Sequence, residues 1–152
     1  MLSIEVETMI KILVADDHAI VREGLKQILS QTPDLVVIAE ASNGQEVIDK
    51  ISKNDFNLVV LDITMPGKSG LEVLREIKGQ KPKLPVLILS MYPEDQYAER
   101  VLKAGASGYL TKDSAPDELV KAIRQISQGK KYVTPSFAEK LAIDSEWGAV
   151  NH

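Results

Sequence analysis

The chain has 152 residues, 44% hydrophobic and 26% charged, which suits one domain of ordinary size with a short extension and is too apolar for a disordered chain. With 22 acidic and 18 basic residues, the net charge of −4 argues against a broad surface for nucleic-acid phosphates. The absence of cysteine excludes disulfides, thiolate metal sites and cysteine nucleophiles, and His18 and His152 are too few for a histidine-rich metal site.

Residues 1–8 are acidic and lack a continuous apolar run, so they read as a leader and not a secretory signal, with Met9 an alternative start. No stretch approaches the roughly 20 apolar residues of a membrane span, and a soluble cytoplasmic protein is expected. Ile10 to Ala15 predicts a first strand ending at Asp16-Asp17. Val21, Leu25, Ile28 and Leu29 then fall on one face of a helix. Val36 to Ala39 predicts a second strand, and Val47, Ile48 and Ile51 a second helix after the Ser42-Asn43-Gly44 turn. Leu58 to Leu61 is apolar at every position, the pattern of a strand buried on both faces, and it ends at Asp62. A loop at Met65-Pro66-Gly67 leads to a helix carrying Leu71, Leu74 and Ile77. Val86 to Leu89 is a fourth buried strand, ending at Ser90, and a helix from about Glu94 turns Tyr97, Val101 and Leu102 inward before Gly105. Gly108-Tyr109-Leu110 is a short fifth strand ending at Thr111-Lys112. Ser114 is placed to N-cap the last helix, with Asp117 reinforcing that end, Leu119, Val120, Ile123 and Ile126 on its apolar face, and Gly129 as its stop.

Five βα units in succession imply a parallel sheet with helices on both faces, joined by right-handed crossovers. From Tyr132 to His152 the chain carries one lysine against three acids. Thr134-Pro135 is a helix-start signal, and Phe137, Ala138, Leu141 and Ala142 give a short apolar face, so one helix at most is expected. Trp147, the single tryptophan, has no assigned role.

In such sheets, ligands bind at the carboxyl ends of the strands, where the strand order reverses. Asp16-Asp17, Asp62, Ser90 and Lys112 stand at the ends of strands one, three, four and five, whereas Glu40-Ala41-Ser42 at the end of strand two offers nothing compelling. Three carboxylates on one rim repel one another, and each raises the pKa of the others. Lysine offsets one charge, and a hard divalent cation such as Mg²⁺, which takes one or two carboxylates and keeps several waters, offsets two more. Mg²⁺ with lysine suits a transferring phosphoryl group. With no cysteine, and no histidine expected beside the site, an aspartate is the natural acceptor.

Asp16-Asp17, the run Leu61-Asp62-Ile63-Thr64-Met65-Pro66-Gly67, Ser90 and Lys112 resemble the signature of response-regulator receiver domains, the phospho-accepting switches of bacterial two-component signalling. The resemblance covers about residues 9–131. Ala15 to Leu25, and Gly129 to Pro135, are similar in particular to the NarL/FixJ (LuxR-type) transcriptional regulators. It implies a flavodoxin-like (βα)5 doubly wound parallel sheet in three layers, a receiver domain over 9–131, and a C-terminal linker segment over 132–152 with no helix-turn-helix domain. It implies Asp62 as phosphoacceptor, with Mg²⁺ held by Asp17, Asp62 and the backbone carbonyl of Thr64, and by Asp16 through water. Ser90 would hydrogen-bond the phosphoryl group, Lys112 would pair with it, and Tyr109 would be the aromatic that reorients with Ser90. Many receivers have proline after the lysine; here Asp113 removes that preference for a cis bond. His18 is expected to pack or lie exposed at the start of the first helix.

The implied partners are a sensor histidine kinase and, once phosphorylated, a second copy of the chain, with DNA contacted only through a C-terminal domain beyond it. The alternatives are a stand-alone receiver acting through protein partners and a Mg²⁺-dependent aspartyl phosphohydrolase. The haloacid-dehalogenase type of the latter needs a second aspartate two residues after the nucleophile, where Thr64 stands. A nucleotide or flavin module would need a Gly-rich loop where Asp16-Asp17-His18 stands.

Overall fold

The computed structural model describes residues 9–65, 67–134 and 137–139. The expected leader, together with Leu141, Ala142, Trp147 and His152, lies outside the described residues. Five strands, β1 (Ile10–Ala15), β2 (Leu35–Ala41), β3 (Leu58–Asp62), β4 (Val86–Ser90) and β5 (Gly108–Thr111), form one parallel sheet in the order β2-β1-β3-β4-β5. The helices are α1 (Ala19–Ser30), α2 (Gly44–Lys53), α3 (Gly70–Gln80), α4 (Glu94–Lys103) and α5 (Ala115–Ser127). This is the expected doubly wound, flavodoxin-like arrangement.

Alternation along the strands builds two cores. Leu13, Val59, Leu61, Val86, Ile88 and Tyr109 face α2, α3 and α4, meeting Val47, Ile51, Val73, Leu74, Ile77 and Val101. Ile12, Val14, Val60, Leu87, Leu89 and Leu110 face α1 and α5, meeting Leu25, Leu29, Leu119 and Ile123. Because β3 and β4 lie inside the sheet, all their residues are buried, which explains their unbroken apolar runs.

Local chemistry sets the ends of the elements. Asn43 caps α2 by accepting from the Glu46 N–H at 2.9 Å, and Ser69 caps α3 by accepting from the Glu72 N–H at 3.2 Å. Gly105 and Gly129 follow α4 and α5 with φ of 109° and 85°, a region open to glycine. Ser114 stands at the N-cap of α5 as expected, with Asp117 in the first turn, but Lys112–Ser114 forms a 3₁₀ turn and the Ser114 hydroxyl donates to the Thr111 carbonyl at 3.0 Å, so it makes no side-chain cap bond. All peptide bonds among the described residues are trans, Lys112–Asp113 included.

β2 runs past Ala39 through Glu40 and Ala41, pairing with β1 across a register shift between Ile12 and Leu13. At the other edge, Tyr132 bridges Gly108 in parallel: the Tyr132 N–H donates to the Ser107 carbonyl at 2.9 Å, and the Tyr109 N–H to the Tyr132 carbonyl at 3.1 Å. The Tyr132 hydroxyl donates to Glu118 at 2.6 Å, and burial with that carboxylate pushes the phenol well above its ordinary pKa. Phe137, on the short apolar face expected for the C-terminal segment, is buried in the α2–α3–α4 core.

Candidate functional site

The sheet order places β1 beside β3 with Ala15 opposite Leu61, so the residues that follow them, Asp16 and Asp62, leave the sheet side by side. Asp16 is fully buried, Asp62 is 1% exposed and Ser90 is fully buried, and these three are the buried polar residues described in the domain. A buried charge needs a partner. Lys112, at the end of β5, supplies one: its Nζ lies 3.2 Å from Asp16 Oδ2 and 3.3 Å from Asp62 Oδ2. Asp16, Asp62 and Lys112, far apart in the sequence, thus stand together at the strand ends.

Asp62 is oriented from one side. Its Oδ1 accepts both the Thr64 N–H and the Thr64 hydroxyl at 3.1 Å, which turns Oδ2 toward Lys112. The sequence reading gave Thr64 only a main-chain role; its side chain also positions the acceptor. The i to i+2 hydroxyl-to-carboxylate pattern was the available local signal. Burial raises the pKa of Asp62, with the Asp16 charge adding to the rise and the Thr64 N–H and Lys112 opposing it. Burial works to lower Lys112, but the carboxylates of Asp62 and Asp16 together outweigh it and hold the ammonium above its ordinary value.

Asp16 Oδ2, Asp17 Oδ1 and Asp62 Oδ2 are buried, and their contacts are ionic: Lys112 Nζ for those of Asp16 and Asp62, and His18 Nδ1 for that of Asp17. Ligand atoms of Asp16, Asp17 and His18 lie within 4.8 Å of one another, and the Asp62 carboxylate stands beside Asp16 across Lys112; carboxylate oxygens gathered in this way fit a divalent cation such as Mg²⁺. His18 differs from expectation in one respect. It is exposed at the start of α1, but its Nδ1 lies 3.3 Å from Asp16 Oδ1 and 3.1 Å from Asp17 Oδ1, so a histidine does stand beside the acids. Its N–H also donates to Asp16 Oδ1 at 2.8 Å, the turn that starts the helix.

Ser90 and Tyr109 sit one and two strands away. The Ser90 hydroxyl accepts from the Tyr92 N–H at 2.9 Å, and the Tyr109 hydroxyl donates to the Tyr92 carbonyl at 2.7 Å, so both grip the same residue of the β4–α4 loop. A cavity of about 250 Å³ opens beside Thr64 and is walled by Gly70, Leu71, Tyr92, Tyr97 and Arg100. A larger one, about 470 Å³, lies at the amino ends of β3 and β4 among Phe56, Asn57, Leu84 and Pro85, and none of the predicted site residues lines it.

Two further residues support the rim. Arg22 on α1 donates from Nη1 to the Asp16 carbonyl at 2.7 Å and from Nε to Glu40 Oε1 at 3.0 Å. Glu40 also takes Lys26 Nζ at 2.9 Å, and its pKa is lowered by that contact, with Arg22 adding to it. The end of β2 is therefore not idle. The 18 positions between Arg22 and Glu40 left no local signal of their pairing.

Comparison with known proteins agrees with this geometry. Residues 12–124 match the profile of the family described as response regulator receiver domain. The response regulator GacA of Pseudomonas aeruginosa is 36% identical over 137 residues, which make up 90% of this chain and 64% of that protein. A crystal structure of a LuxR-family two-component response regulator from Aurantimonas sp. SI85-9A1 superposes with a TM-score of 0.83 at 36% identity, covering 90% of this chain and 98% of that one. The RcsB response regulator of Salmonella typhimurium, in a structure concerned with its DNA interaction, gives 0.81 at 28% identity, covering 87% of this chain and 66% of that one. The chain spans 57% to 67% of the length of the curated relatives it matches first.

Proposed function

This chain belongs to the response regulator receiver family, and from that premise we propose that it is a phosphorylation-controlled switch whose phosphoacceptor is Asp62. The observation that carries the reading is Lys112 Nζ standing 3.2 Å from Asp16 Oδ2 and 3.3 Å from Asp62 Oδ2, where it pairs with two buried carboxylates that follow β1 and end β3. With Oδ1 held by Thr64, Oδ2 is the oxygen left to attack phosphorus. The phosphodonor is the phosphohistidine of a sensor histidine kinase. As the Asp62 O–P bond forms, the donor's P–N bond breaks, and the imidazole nitrogen leaves with the electron pair and takes up a proton from water. Lys112 then faces the phosphoryl oxygens and offsets their charge.

Asp17, Asp62 and the Thr64 carbonyl would hold Mg²⁺ directly, and Asp16 through water. When bound, Mg²⁺ supplies Lewis-acid neutralisation of the phosphoryl oxygens. Ser90, whose hydroxyl accepts from Tyr92, keeps its own proton for a phosphoryl oxygen. A shift of Ser90 toward that oxygen pulls on Tyr92 and so on Tyr109. The changed face around α4, β5 and α5 then favours pairing with a second copy. The chemistry is limited to the chain's own phosphorylation and its slow reversal. Output as a transcriptional regulator, in the cytoplasm, runs through a DNA-binding domain beyond these residues, as the name and coverage of the RcsB structure support.

Acetyl phosphate with Mg²⁺ is expected to add one acid-stable, base-labile phosphoryl group, and none to Asp62→Asn. Equal labelling of that variant, or label on His18, overturns the assignment. Beryllofluoride should raise the dimer fraction in ultracentrifugation. The 152 residues alone should give no sequence-dependent mobility shift with DNA at low salt.

A further inference from the structure

We infer that Arg22 is a positioning residue for the cation site: by clamping the Asp16 carbonyl to the end of β2, it aims the carboxylates of Asp16 and Asp17. The inference rests on the metal reading above and adds a residue to it. β1 stops pairing with β3 at Ala15, so the Asp16 carbonyl emerges from the sheet fully buried. A buried main-chain carbonyl needs a donor. The Asp16 N–H is already tied to the Ala41 carbonyl at 3.0 Å, which leaves the following peptide plane to be set by whatever takes the carbonyl. Arg22 Nη1 takes it at 2.7 Å, while Nε of the same planar guanidinium is spent on Glu40 Oε1 at 3.0 Å.

Glu40 is itself fixed, by Lys26 through its carboxylate and by Lys50 through its backbone carbonyl. The guanidinium is therefore held at both ends of its fork, between α1 and β2. The Asp16 carbonyl and the Asp17 N–H share one rigid plane, so holding the first fixes the direction in which Asp17 leaves the backbone. Asp17 needs such help. Its carboxylate is 26% exposed, and the contact at its Oδ1 is His18 Nδ1 at 3.1 Å, on a side chain that is itself 66% exposed and so holds its direction loosely. Lysine cannot replace this arrangement, because one ammonium lacks the rigid fork that reaches both acceptors in a plane.

Charge and positioning make opposite forecasts, and that makes the idea testable. Arg22 is a cation near three carboxylates; were charge its only influence, neutralising it would tighten cation binding. Loss of positioning loosens it, and removal of partners behind a metal ligand weakens binding roughly 10–100-fold.

The test is calorimetric titration of Mg²⁺ into the full chain and into Arg22→Met, Arg22→Lys and Lys26→Ala, with melting curves in EDTA. Arg22→Met and Arg22→Lys should raise the Mg²⁺ dissociation constant about tenfold. Lys26→Ala, which loses a contact to Glu40 but none to Asp16, should leave it within about twofold. Phosphorylation by acetyl phosphate should slow in the Arg22 variants at low Mg²⁺ and recover when Mg²⁺ saturates. Binding by Arg22→Met as tight as the parent's, or tighter, overturns the inference, as does an equal loss in Lys26→Ala. If Arg22→Met does not fold, Arg22→Lys decides by the same criterion. Failure of the parent chain itself to bind Mg²⁺ overturns the metal reading and the inference with it, whereas parental binding with unaffected Arg22 variants overturns the inference alone.

Discussion

The Asp62 carboxyl is 1% exposed, and its pKa is raised by burial and by the neighbouring Asp16. Its contribution to stability is therefore present below the ordinary carboxyl value of 3.8 and is lost as pH rises through the higher folded-state value. Asp62→Asn removes that loss. In EDTA at pH 7, this variant should melt roughly 2–4 °C above the parent, equivalent to about 1 kcal/mol, and the gap should close near pH 3. Mg²⁺ should raise the melting point of the parent far more than that of Asp62→Asn, because a ligand stabilises only the state that binds it. Lys112 works in the other direction. Its pKa is raised in the fold, so its contribution is complete below 10.5 and is lost as pH rises through the folded value. Lys112→Ala leaves two buried carboxylates facing each other and should cost about 3 kcal/mol in urea unfolding, with Asp62→Asn in the same chain restoring part of it. Independent, additive effects would mean that Lys112 does not pair with Asp62.

At the scale of elements, the rim depends on how closely the β3–α3 loop folds back on itself. The Gly70 N–H donates to the Ile63 carbonyl at 3.1 Å, and a Cβ on Gly70 would lie 2.5 Å from both Cα and O of Ile63. Backbone cannot give way as a flexible side-chain tip can. Gly70→Ala should cost about 1–3 kcal/mol and displace the loop that carries Thr64. By contrast, a Cβ on Gly24, on an open face of α1, meets nothing within 4 Å, so Gly24→Ala should stabilise the domain by a few tenths to about 1 kcal/mol. Chemical denaturation of the two variants separates the cases; equal effects would remove the close approach from the account. Ser114 stands at the N-cap of α5 without a side-chain cap bond. Its hydroxyl goes to Thr111 because the 3₁₀ turn after β5 brings that carbonyl within reach, a preference invisible in the spacing of Ser114 and Asp117.

For the whole molecule, the sheet continues past the expected boundary at Lys131. Tyr132 adds backbone pairing along β5, Thr134 donates its N–H to Glu94 at the start of α4 at 2.9 Å, and Phe137 is 6% exposed. A chain ended after Lys131 should be less stable than one ended after Glu139 by at least about 3 kcal/mol, the usual cost of losing one buried phenylalanine. Equal urea midpoints for the two would show that the segment adds nothing to the domain. Among the described residues, no helix is long and apolar enough to cross a membrane.

Hydrophobic periodicity and punctuation were enough to read five strands, five helices and a parallel sheet, because burial on both faces leaves β3 and β4 no freedom to be polar. The acids, the serine and the lysine were legible for the same reason: each stands where an apolar run stops. Only the tertiary structure decided what holds them. Arg22 reaches Glu40 and the Asp16 carbonyl, Thr64 turns Asp62 toward Lys112, His18 leans over Asp17, and Tyr132 extends the sheet. The pairings of Arg22 with Glu40 and of Tyr132 with β5 join residues distant in sequence, so periodicity carries no signal for them, whereas the contacts of Thr64 and His18 with the acids two positions away are local patterns whose direction the packed backbone selects.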